Sequence, residues 1–461
     1  MSANPKGIIR LPQVEQILQR PFLALFIQQL SRPLITDIVR ESLTYVRRSP
    51  LFRDDSLTPE AHKEKLLKLL DDTISNRCRF VFRQRHHRVI NATGTVVHTN
   101  LGRSPIEREV WDSVTDLCTG YCNLEIKLSD GKRGERKGIA GRLFGRLIGC
   151  DDALVVNNNA ASVHMILNEL GQGKEVIVSR GEQIQIGGGF RIPDIMAMSG
   201  AKLVEVGTTN ITTADDYLNA ITDNTSMVLM VHTSNFAIRG FTKRADIRTI
   251  KKGLPEHVVL AVDQGSGLTT EGFAPDETPA SHYIKAGADI VCFSGDKILG
   301  GPQAGIICGR QDLVKKLEKN PMMRAFRPSK IIYSLLEELL VRKLNRNDKG
   351  QGIAERSVNS QQLRKLATDF AESIDDERLQ VVQDQMIVGG GTLPDTYFPS
   401  WALCLNLPES PDKLLAELRN APVPVIGVIR NDKVHLNMAA ILPADRGNLE
   451  STLRAMFLKR P

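Results

Sequence analysis

The sequence predicts an α/β protein whose main body is a mostly parallel β-sheet covered by helices. Three observations support this fold class. From about residue 90, short apolar segments such as ALVV (153–156) and DIVCF (289–293) alternate with helical stretches, as in a parallel sheet between helix layers. Before that point the spacing of apolar residues is helical throughout. After about residue 345, strands and a helix form a smaller α+β pattern.

The first element is a helical domain, with VEQILQRPFLALFIQQL and AHKEKLLKLLDDTI as its clearest segments. Its helical spacing is interrupted at four prolines, Pro21, Pro33, Pro50 and Pro59, because proline cannot continue a helix. The changes of pattern along the chain predict four regions. These are a helical domain over 1–75, a basic linker over 76–90, an α/β core domain over 91–340 and a small α+β domain over 345–461.

Excess positive charge is confined to the start of the chain. The protein has 60 Lys and Arg against 53 Asp and Glu, and the first 90 residues hold 16 and 9 of these, so they carry the whole net charge of +7. The densest stretch is RCRFVFRQRHHR (77–88). Such a run suits a polyanion, because arginines bind phosphates and aromatic rings stack on bases. A solvated basic linker is the alternative interpretation.

Composition favours an ordinary globular protein of the cytoplasm, with 41% hydrophobic and 25% charged residues. No apolar run approaches the roughly 18 residues of a membrane span, and the first residues lack the apolar core of a signal peptide. The 7 cysteines contain no C-x-x-C pair, which disfavours a disulfide framework or a zinc site. Cys292 and Cys308 lie in apolar runs and are expected in the core.

Polar residues follow several predicted strands, at the edge where parallel strands end and ligands bind. Asp263 follows VVLAV, and Ser294 and Lys297 follow DIVCF. A lysine is unexpected in a tight loop of small residues, so its amine is expected to have a chemical role. NNNAAS (157–162) follows ALVV and precedes a helix, whose N-terminal amides and dipole favour a phosphate. The sequence has neither a P-loop nor a G-x-G-x-x-G turn after the first strand, so nucleotide binding is disfavoured.

A strand-end lysine, a strand-end aspartate and a phosphate-binding turn together indicate pyridoxal 5'-phosphate (PLP). In such a site the lysine forms a Schiff base with the cofactor and the aspartate keeps the ring nitrogen protonated. Each feature is common alone, and their order along an α/β chain makes the combination specific.

The chain also resembles the bacterial selenocysteine synthases, or L-seryl-tRNA(Sec) selenium transferases. The similar segments are VINATGTVVHTNLGRSPI, DALVVNNNAASV, KEVIVSRGE, GGGFRIPDIM, KLVEVGTTN, VHTSNFAIRGFTK, FSGDKILGGPQAGII and VPVIG, with a weaker LPQVEQIL near the start. The resemblance implies fold type I of the PLP-dependent transferases. It also implies an N-terminal domain that binds tRNA and a ring-shaped homodecamer, a pentamer of dimers.

The resemblance assigns roles around the cofactor. It makes Lys297 the Schiff-base lysine and Asp263 the partner of the ring nitrogen. The residues expected to bind the cofactor phosphate are Asn158, Asn159, Ala160 and Ser294. Asn235 is expected to hydrogen-bond the ring hydroxyl. His232 is expected either near the cofactor or packed at its strand end.

The resemblance also implies the reaction and the substrates. Seryl-tRNA(Sec) becomes selenocysteinyl-tRNA(Sec) after Lys297 removes the Cα proton, the hydroxyl leaves to give aminoacrylyl-tRNA, and selenium from selenophosphate adds. Arg103, Arg324 and Arg327 are expected to bind the selenophosphate anion, because a guanidinium meets phosphate oxygens with two donors. A surface helix face is the alternative for Arg324 and Arg327.

The chain departs from the family pattern at Glu135, Gln185, Asn437 and Ala439, while Arg136 is retained. Ala439 removes a cation that often binds a free substrate carboxylate, which an aminoacyl ester does not have. Two other functions stay open. One is a PLP-dependent β-eliminating lyase acting on a free amino acid or amino sugar acid, although such lyases tend to lack the helical domain. The other is a non-catalytic RNA-binding protein with a relict site, against which the intact lysine and aspartate argue.

Overall fold

The computed structural model describes residues 10–53, 56, 58–183, 185–186, 189–232, 238–270, 277–346, 351–393 and 396–460. The chain forms two compact units, Met1–Arg88 and Val89–Pro461. Within the described ranges, every helix is too short or too polar to span a bilayer.

The first unit is built from helices. Its elements are α1 (Val14–Leu18), α2 (Pro21–Leu30), α3 (Arg32–Arg48), a 3-10 turn (Pro50–Arg53) and α4 (Pro59–Arg83). The four prolines that interrupt the helical spacing lie in the first turns of these elements. Proline is tolerated there because the first amides of a helix have no partner within it.

Helix α4 extends beyond the predicted helical domain. Its buried face includes Leu66, Leu70, Ile74 and Cys78, spaced by one helical turn. The helix continues to Arg83, so the stretch 76–90, expected as a linker, is helical in its first half. The arginines there conceal the continuing pattern in the sequence, because they occupy the exposed face while single apolar residues keep the buried one.

The centre of the second unit is a seven-stranded sheet in the order β3-β11-β10-β9-β8-β4-β7. Its strands are β3 (Asp152–Val156), β4 (Glu175–Ser179), β7 (Lys202–Val206), β8 (Thr225–Val231), β9 (Val259–Gly265), β10 (Ile290–Ser294) and β11 (Gly305–Gly309). Only β11 runs antiparallel to its neighbours in this sheet. The mostly parallel sheet predicted from the sequence is therefore confirmed.

Apolar side chains cover both faces of this sheet. In β3, Ala153 and Val155 belong to one core cluster, and Leu154 and Val156 belong to the cluster on the opposite face. This alternation follows from the two-residue period of a strand. Burial of both faces is typical of parallel sheets and explains why the strands read as continuous apolar runs.

Helices supply the two covering layers and the remaining connections. They are α5 (Arg108–Thr119), α6 (Ala140–Ile148), α7 (Asn159–Gly171), α8 (Ile192–Ser199), α9 (Ala214–Leu218), α10 (Ile247–Gly253), α11 (Ala280–Lys285), α12 (Gln311–Lys319), α13 (Met323–Phe326), α14 (Lys330–Leu344), α15 (Ile353–Ser357), α16 (Ser360–Ile374), α17 (Pro411–Arg419) and α18 (Arg446–Leu458).

A smaller five-stranded sheet has the order β15-β16-β13-β12-β2. Its strands are β2 (Thr95–Val97), β12 (Leu379–Gly389), β13 (Phe398–Leu405), β15 (Val428–Arg430) and β16 (Lys433–Asn437). Two short two-stranded pairs accompany it, β1 (Ile90–Asn91) with β14 (Val425–Ile426), and β5 (Gln185–Ile186) with β6 (Phe190–Arg191).

The strands of the small sheet come from two distant parts of the chain. Strand β2 lies parallel to β12, with Thr95 opposite Ile387 and Val97 opposite Gly389. Ala92, Val96 and Val97, which the sequence placed in the core domain, thus belong to the same apolar cluster as many C-terminal residues. A pairing over almost 300 residues leaves no local signal, because the segment's apolar residues suit either sheet.

Candidate active site

Lys297 lies in the turn that follows β10, at the carboxyl edge of the central sheet. The turn is held by hydrogen bonds from Ile298 N to Ser266 O (3.1 Å) and from Gly301 N to Gly295 O (2.9 Å). Lys297 is partly buried. Burial and the positive charge of Arg103 lower the pKa of its amine, although nearby carboxylates oppose the shift. A larger fraction of the amine is therefore neutral than in water, as a nucleophile or base requires.

Asp263 lies near the end of β9 and is buried. Its Oδ1 accepts hydrogen bonds from Asn159 Nδ2 (2.7 Å) and from Cys292 Sγ (3.7 Å). Burial raises the pKa of this carboxyl, while the contact with Asn159 and the charge of Lys297 act in the opposite direction. The loop after Asp263 passes so close to β10 that a Cβ on Gly267 would lie 2.4 Å from Ser294 O.

The turn NNNAAS leads into α7, as predicted. Asn158 is the N-cap residue, and its Oδ1 accepts a hydrogen bond from Ala161 N (2.9 Å). The first amides of a helix point outward without intrahelical partners and favour an anion. Ser294 is buried at the end of β10 and pairs with Gly305 in β11, where a Cβ would lie 2.2 Å from Asn158 O. A side chain at Gly305 would therefore fill this turn.

These features fit a bound PLP. An amine, a buried carboxylate and a helix N-terminus converge at one edge of the sheet. Asn159 Oδ1 is buried, and in the described part of the chain it has no hydrogen-bond partner. Buried polar atoms normally have partners, so this one is consistent with a site completed by a polar ligand. Lys297, Asp263, Ala160 and Ser294 would hold such a cofactor.

Arg103 reaches this site from the segment after β2. Its Nη1 donates to Asp296 Oδ2 at 2.9 Å and to Oδ1 at 3.1 Å, and Asp296 directly precedes Lys297. The backbone joins the same contact, since Ser104 N donates to Asp296 O (3.1 Å). Arg103 is therefore beside the lysine, but its charge is already balanced by a carboxylate.

Arg324 and Arg327 lie on α13 and at its C-terminal end. Asn157, just before the capping Asn158, donates from N to Phe326 O (2.9 Å) and from Nδ2 to Ala325 O (3.1 Å), so α13 packs beside the N-terminus of α7. Arg324 is exposed.

Arg327 belongs to a charged cluster centred on Glu125. Its Nη1 lies 3.3 Å from Glu125 Oε1, and Arg136 binds the same oxygen at 2.6 Å. Of the two α13 arginines, Arg324 is thus the more available cation for an anionic ligand.

His232 occupies a packed position next to Asp263. Its backbone N donates to Asp263 O (2.8 Å), its Nδ1 lies 3.1 Å from Tyr283 Oη, and its Nε2 lies 3.0 Å from Glu277 Oε1. Glu277 also accepts a hydrogen bond from Gln264 Nε2 (3.1 Å). These contacts show a histidine held at its strand end, which was one of its two expected positions. Asn235 lies outside the described residues.

A second buried acidic group, Glu182, lies near His232 and Tyr283. Glu182 follows β4 and borders a cavity of about 200 Å³ together with His232 and Tyr283. Its Oε2 accepts a hydrogen bond from Val231 N (2.9 Å). Burial raises the pKa of Glu182 to about 7, and the amide of Val231 and the charge of Arg244 partly oppose this.

Among the described contacts, the four residues that depart from the family pattern make no hydrogen bond to Lys297. Glu135 is exposed, and Gln185 accepts a hydrogen bond from Arg191 Nε (2.8 Å) in the β5–β6 pair. Asn437 is buried in the small sheet, where Nδ2 donates to Asp384 Oδ2 (3.0 Å) and Oδ1 accepts from Ser400 Oγ (2.9 Å). Ala439 is buried, and its carbonyl accepts from Ser357 Oγ (2.7 Å).

Sequence reasoning missed two residues that contact the site. Asp296 stands directly before Lys297, and that adjacency is a signal that could have suggested a role. Cys292 was expected to be a plain core residue, and its contact with Asp263 has no sequence signal because it depends on how β9 and β10 pair. The side chain of Asn159 donates to Asp263, and the phosphate contact that the resemblance implies for this residue stays a prediction.

Comparison with known proteins matches most of the chain. Residues 89–442 match the family model described as L-seryl-tRNA selenium transferase, and residues 10–47 match selenocysteine synthase N terminal. The L-seryl-tRNA(Sec) selenium transferase of Clostridium botulinum (strain Okra / Type B1) is 36% identical over 457 residues, covering 96% of this chain and 97% of the relative. That of Aquifex aeolicus (strain VF5) is 37% identical over 417 residues, covering 86% and 90%.

Among solved structures, D-glucosaminate-6-phosphate ammonia-lyase matches with a TM-score of 0.57 at 18% identity, covering 81% of this chain and 96% of that one. At this identity the match concerns the fold alone. The α/β fold class predicted from the sequence, that of the fold type I PLP enzymes, is confirmed.

Proposed function

The chain belongs to the L-seryl-tRNA selenium transferase family, and from that premise we propose that it converts seryl-tRNA(Sec) to selenocysteinyl-tRNA(Sec). The observation that carries the proposal is the match to the family over 96% of the chain, together with Lys297 and Asp263 at one edge of the sheet. The family match includes the helical N-terminal segment, which a lyase acting on a small free substrate does not need.

The cofactor of this family is PLP, and the residues around Lys297 suit it. When bound, PLP supplies an electron sink for negative charge at the substrate Cα. We assign the covalent attachment to Lys297 and the ring-nitrogen contact to Asp263. The amides at the start of α7, with Ser294, would bind the phosphate.

Lys297 is the group that we assign to proton transfer. Its lowered pKa leaves more neutral amine at neutral pH, which can accept the Cα proton of the seryl ester. Asp296 and Asp263 limit this lowering, so the protonated amine that results is stabilised by nearby carboxylates. The surrounding strand ends exclude water on the sheet side, because they are buried.

For the selenium donor we propose selenophosphate, bound through arginines. Arg324 is exposed on α13, and this helix packs beside the N-terminus of α7 through hydrogen bonds from Asn157 to the carbonyls of Ala325 and Phe326. A guanidinium favours phosphate oxygens because it offers two donors to them. Arg103 can join Arg324 only by sharing its guanidinium with Asp296.

For tRNA we propose binding by the first unit. This unit holds the net positive charge of the chain, and Arg79, Phe80 and Arg83 are exposed on the last turns of α4. Such a surface attracts phosphates and offers an aromatic ring. We further propose a cytoplasmic homodecamer. Large exposed apolar side chains in the second unit, among them Tyr121, Leu128 and Phe241, are suited to contacts between copies.

The decisive assay uses the purified full-length protein with PLP, seryl-tRNA(Sec) and selenophosphate. Mass spectrometry of the aminoacyl group should show selenocysteine. In parallel, free L-serine and amino sugar acids are tested for release of ammonia. Turnover of a free substrate without conversion of the seryl-tRNA would refute the proposal and favour the lyase.

A further inference from the structure

Both hydrogen bonds to the Asp263 side chain in the described ranges end on the same oxygen. Asn159 Nδ2 lies 2.7 Å from Oδ1, and Cys292 Sγ lies 3.7 Å from it. The donors come from different elements, since Asn159 opens α7 and Cys292 lies in β10. This arrangement leaves Oδ2 for a ligand.

The geometry of the sheet explains why the three side chains meet. Cys292 and Asp263 are direct neighbours on the parallel strands β10 and β9, so their side chains lie on the same face. Helix α7 covers that face, with Cys292 in the same apolar cluster as residues of α7. The register shifts immediately after Cys292, so this is the last regular pair before the strands diverge toward the site.

Both neighbours are donors at any pH near neutral. An amide nitrogen is always a donor, and the thiol of Cys292 stays protonated because burial and the charge of Asp263 raise its pKa well above the ordinary value. Hydrogen bonds to a carboxylate favour its ionised form. The two donors therefore oppose the effect of burial, which raises the pKa of Asp263.

We propose that Asn159 and Cys292 are positioning residues that hold Asp263 ionised through Oδ1, so that Oδ2 can bind the protonated ring nitrogen of the cofactor. The inference rests on the proposed function, because it presumes PLP. The proposal also gives two adjacent asparagines, Asn158 and Asn159, different roles. Asn158 caps α7 and belongs to the phosphate end, whereas the Asn159 side chain serves the ring-nitrogen end.

The test compares three ligands on the full-length wild-type and Asn159→Ala proteins. They are PLP, pyridoxal, which lacks the phosphate, and 1-deazapyridoxal phosphate, in which a C–H replaces the ring nitrogen. Dissociation constants are measured by absorbance titration at one pH. The loss of a hydrogen bond to a charged group predicts about ten-fold weaker binding of PLP and of pyridoxal, with no change for the 1-deaza analogue.

Other outcomes overturn the inference. Weakening of PLP with unchanged pyridoxal would make Asn159 a phosphate ligand. Equal weakening of all three ligands would indicate a general defect of the pocket. A wild-type protein that binds none of them would refute the proposed function itself, which is a separate result.

Cys292 allows a second test with a matched control. Cys292→Ser keeps a donor and should bind PLP within about two-fold of wild type, whereas Cys292→Ala should bind it roughly three-fold more weakly, since a thiol is a weak donor. Cys308→Ala makes the same change in the neighbouring strand β11, away from Asp263, and should leave the affinity unchanged. If Cys292→Ala and Cys308→Ala change the affinity for PLP equally, Cys292 is not a positioning residue for Asp263. Circular dichroism verifies that each variant is folded.

Discussion

Arg103 and Asp296 form an ion pair directly beside Lys297, with Arg103 Nη1 2.9 Å from Asp296 Oδ2. The two charges act on Lys297 in opposite directions, since Arg103 lowers the pKa of its amine and Asp296 raises it. Burial is the largest influence on this pKa, and the pair modulates it while also fixing the position of Arg103.

Arg103→Ala should raise the pKa of Lys297. The variant removes a positive charge and leaves Asp296 unpaired, and both changes favour the protonated amine. Because only the neutral amine reacts, the pH midpoint for acylation of Lys297 in the cofactor-free protein should move upward. Peptide mass spectrometry measures the labelling. Arg103→Lys keeps the charge and should shift the midpoint less, and a downward shift in Arg103→Ala would contradict the assignment.

Lys297 should carry the cofactor covalently. The protein reconstituted with PLP should absorb in the visible, and borohydride should fix the cofactor on the peptide that contains Lys297. Lys297→Ala should yield no labelled peptide. Label on another lysine in the wild-type protein, or a colourless reconstituted protein, would refute this role.

Arg324→Ala should weaken binding of the selenium donor by roughly 10- to 150-fold, the range expected for a lost hydrogen bond between charged groups. Affinity for tRNA should stay the same. The control is Arg108→Ala, which removes an exposed arginine paired with Asp112 on α5. Saturation kinetics with selenophosphate give the donor affinity, and filter binding gives that of tRNA. Normal donor saturation with weakened tRNA binding would move Arg324 to the nucleic-acid surface.

The double variant Arg79→Glu/Arg83→Glu should reduce tRNA affinity and its salt dependence. Each lost phosphate contact lowers the slope of log affinity against log salt by about 1, so the double variant should lose about 2. Lys315→Glu/Lys316→Glu makes the same charge change on exposed positions of α12. If both double variants lose affinity equally, the effect is one of net charge, and the first unit has no special role.

Glu182→Gln should flatten the pH dependence of stability between about pH 4.5 and 7. With its pKa raised to about 7, Glu182 keeps a proton in the folded state that it releases on unfolding. The wild-type protein therefore loses stability as pH rises through this window, by at most about 3 kcal/mol. Glutamine stays neutral and should lose less. Melting temperatures at pH 5 and pH 8 test this, and parallel curves for the two proteins would contradict it.

The residues of the candidate site that follow a local pattern could be predicted from the sequence. Lys297, Asp263 and the NNN turn each follow an apolar strand, and parallel strands bring their carboxyl ends to one edge. The site could be predicted to that extent because the strand period and the small residues after each strand are visible in a single segment.

The contacts between those parts could not be predicted in the same way. Asn159 and Asp263 are separated by 104 residues, and Arg103 and Asp296 by 193. Which asparagine caps the helix and which reaches the aspartate depends on the backbone direction at the first turn of α7. Similarly, the position where α4 ends could not be predicted, because the exposed face of its last turns is basic and resembles a linker. The buried face nevertheless continues through Cys78.

The segment of the chain from β2 to Ser104 connects the small sheet to the turn that carries Lys297. Val97 is held in the small sheet opposite Gly389, and Ser104 N is bound to Asp296 O (3.1 Å) beside Lys297. Because the connection between these two contacts is short, the edge of the small sheet and the turn that carries Lys297 are restrained together.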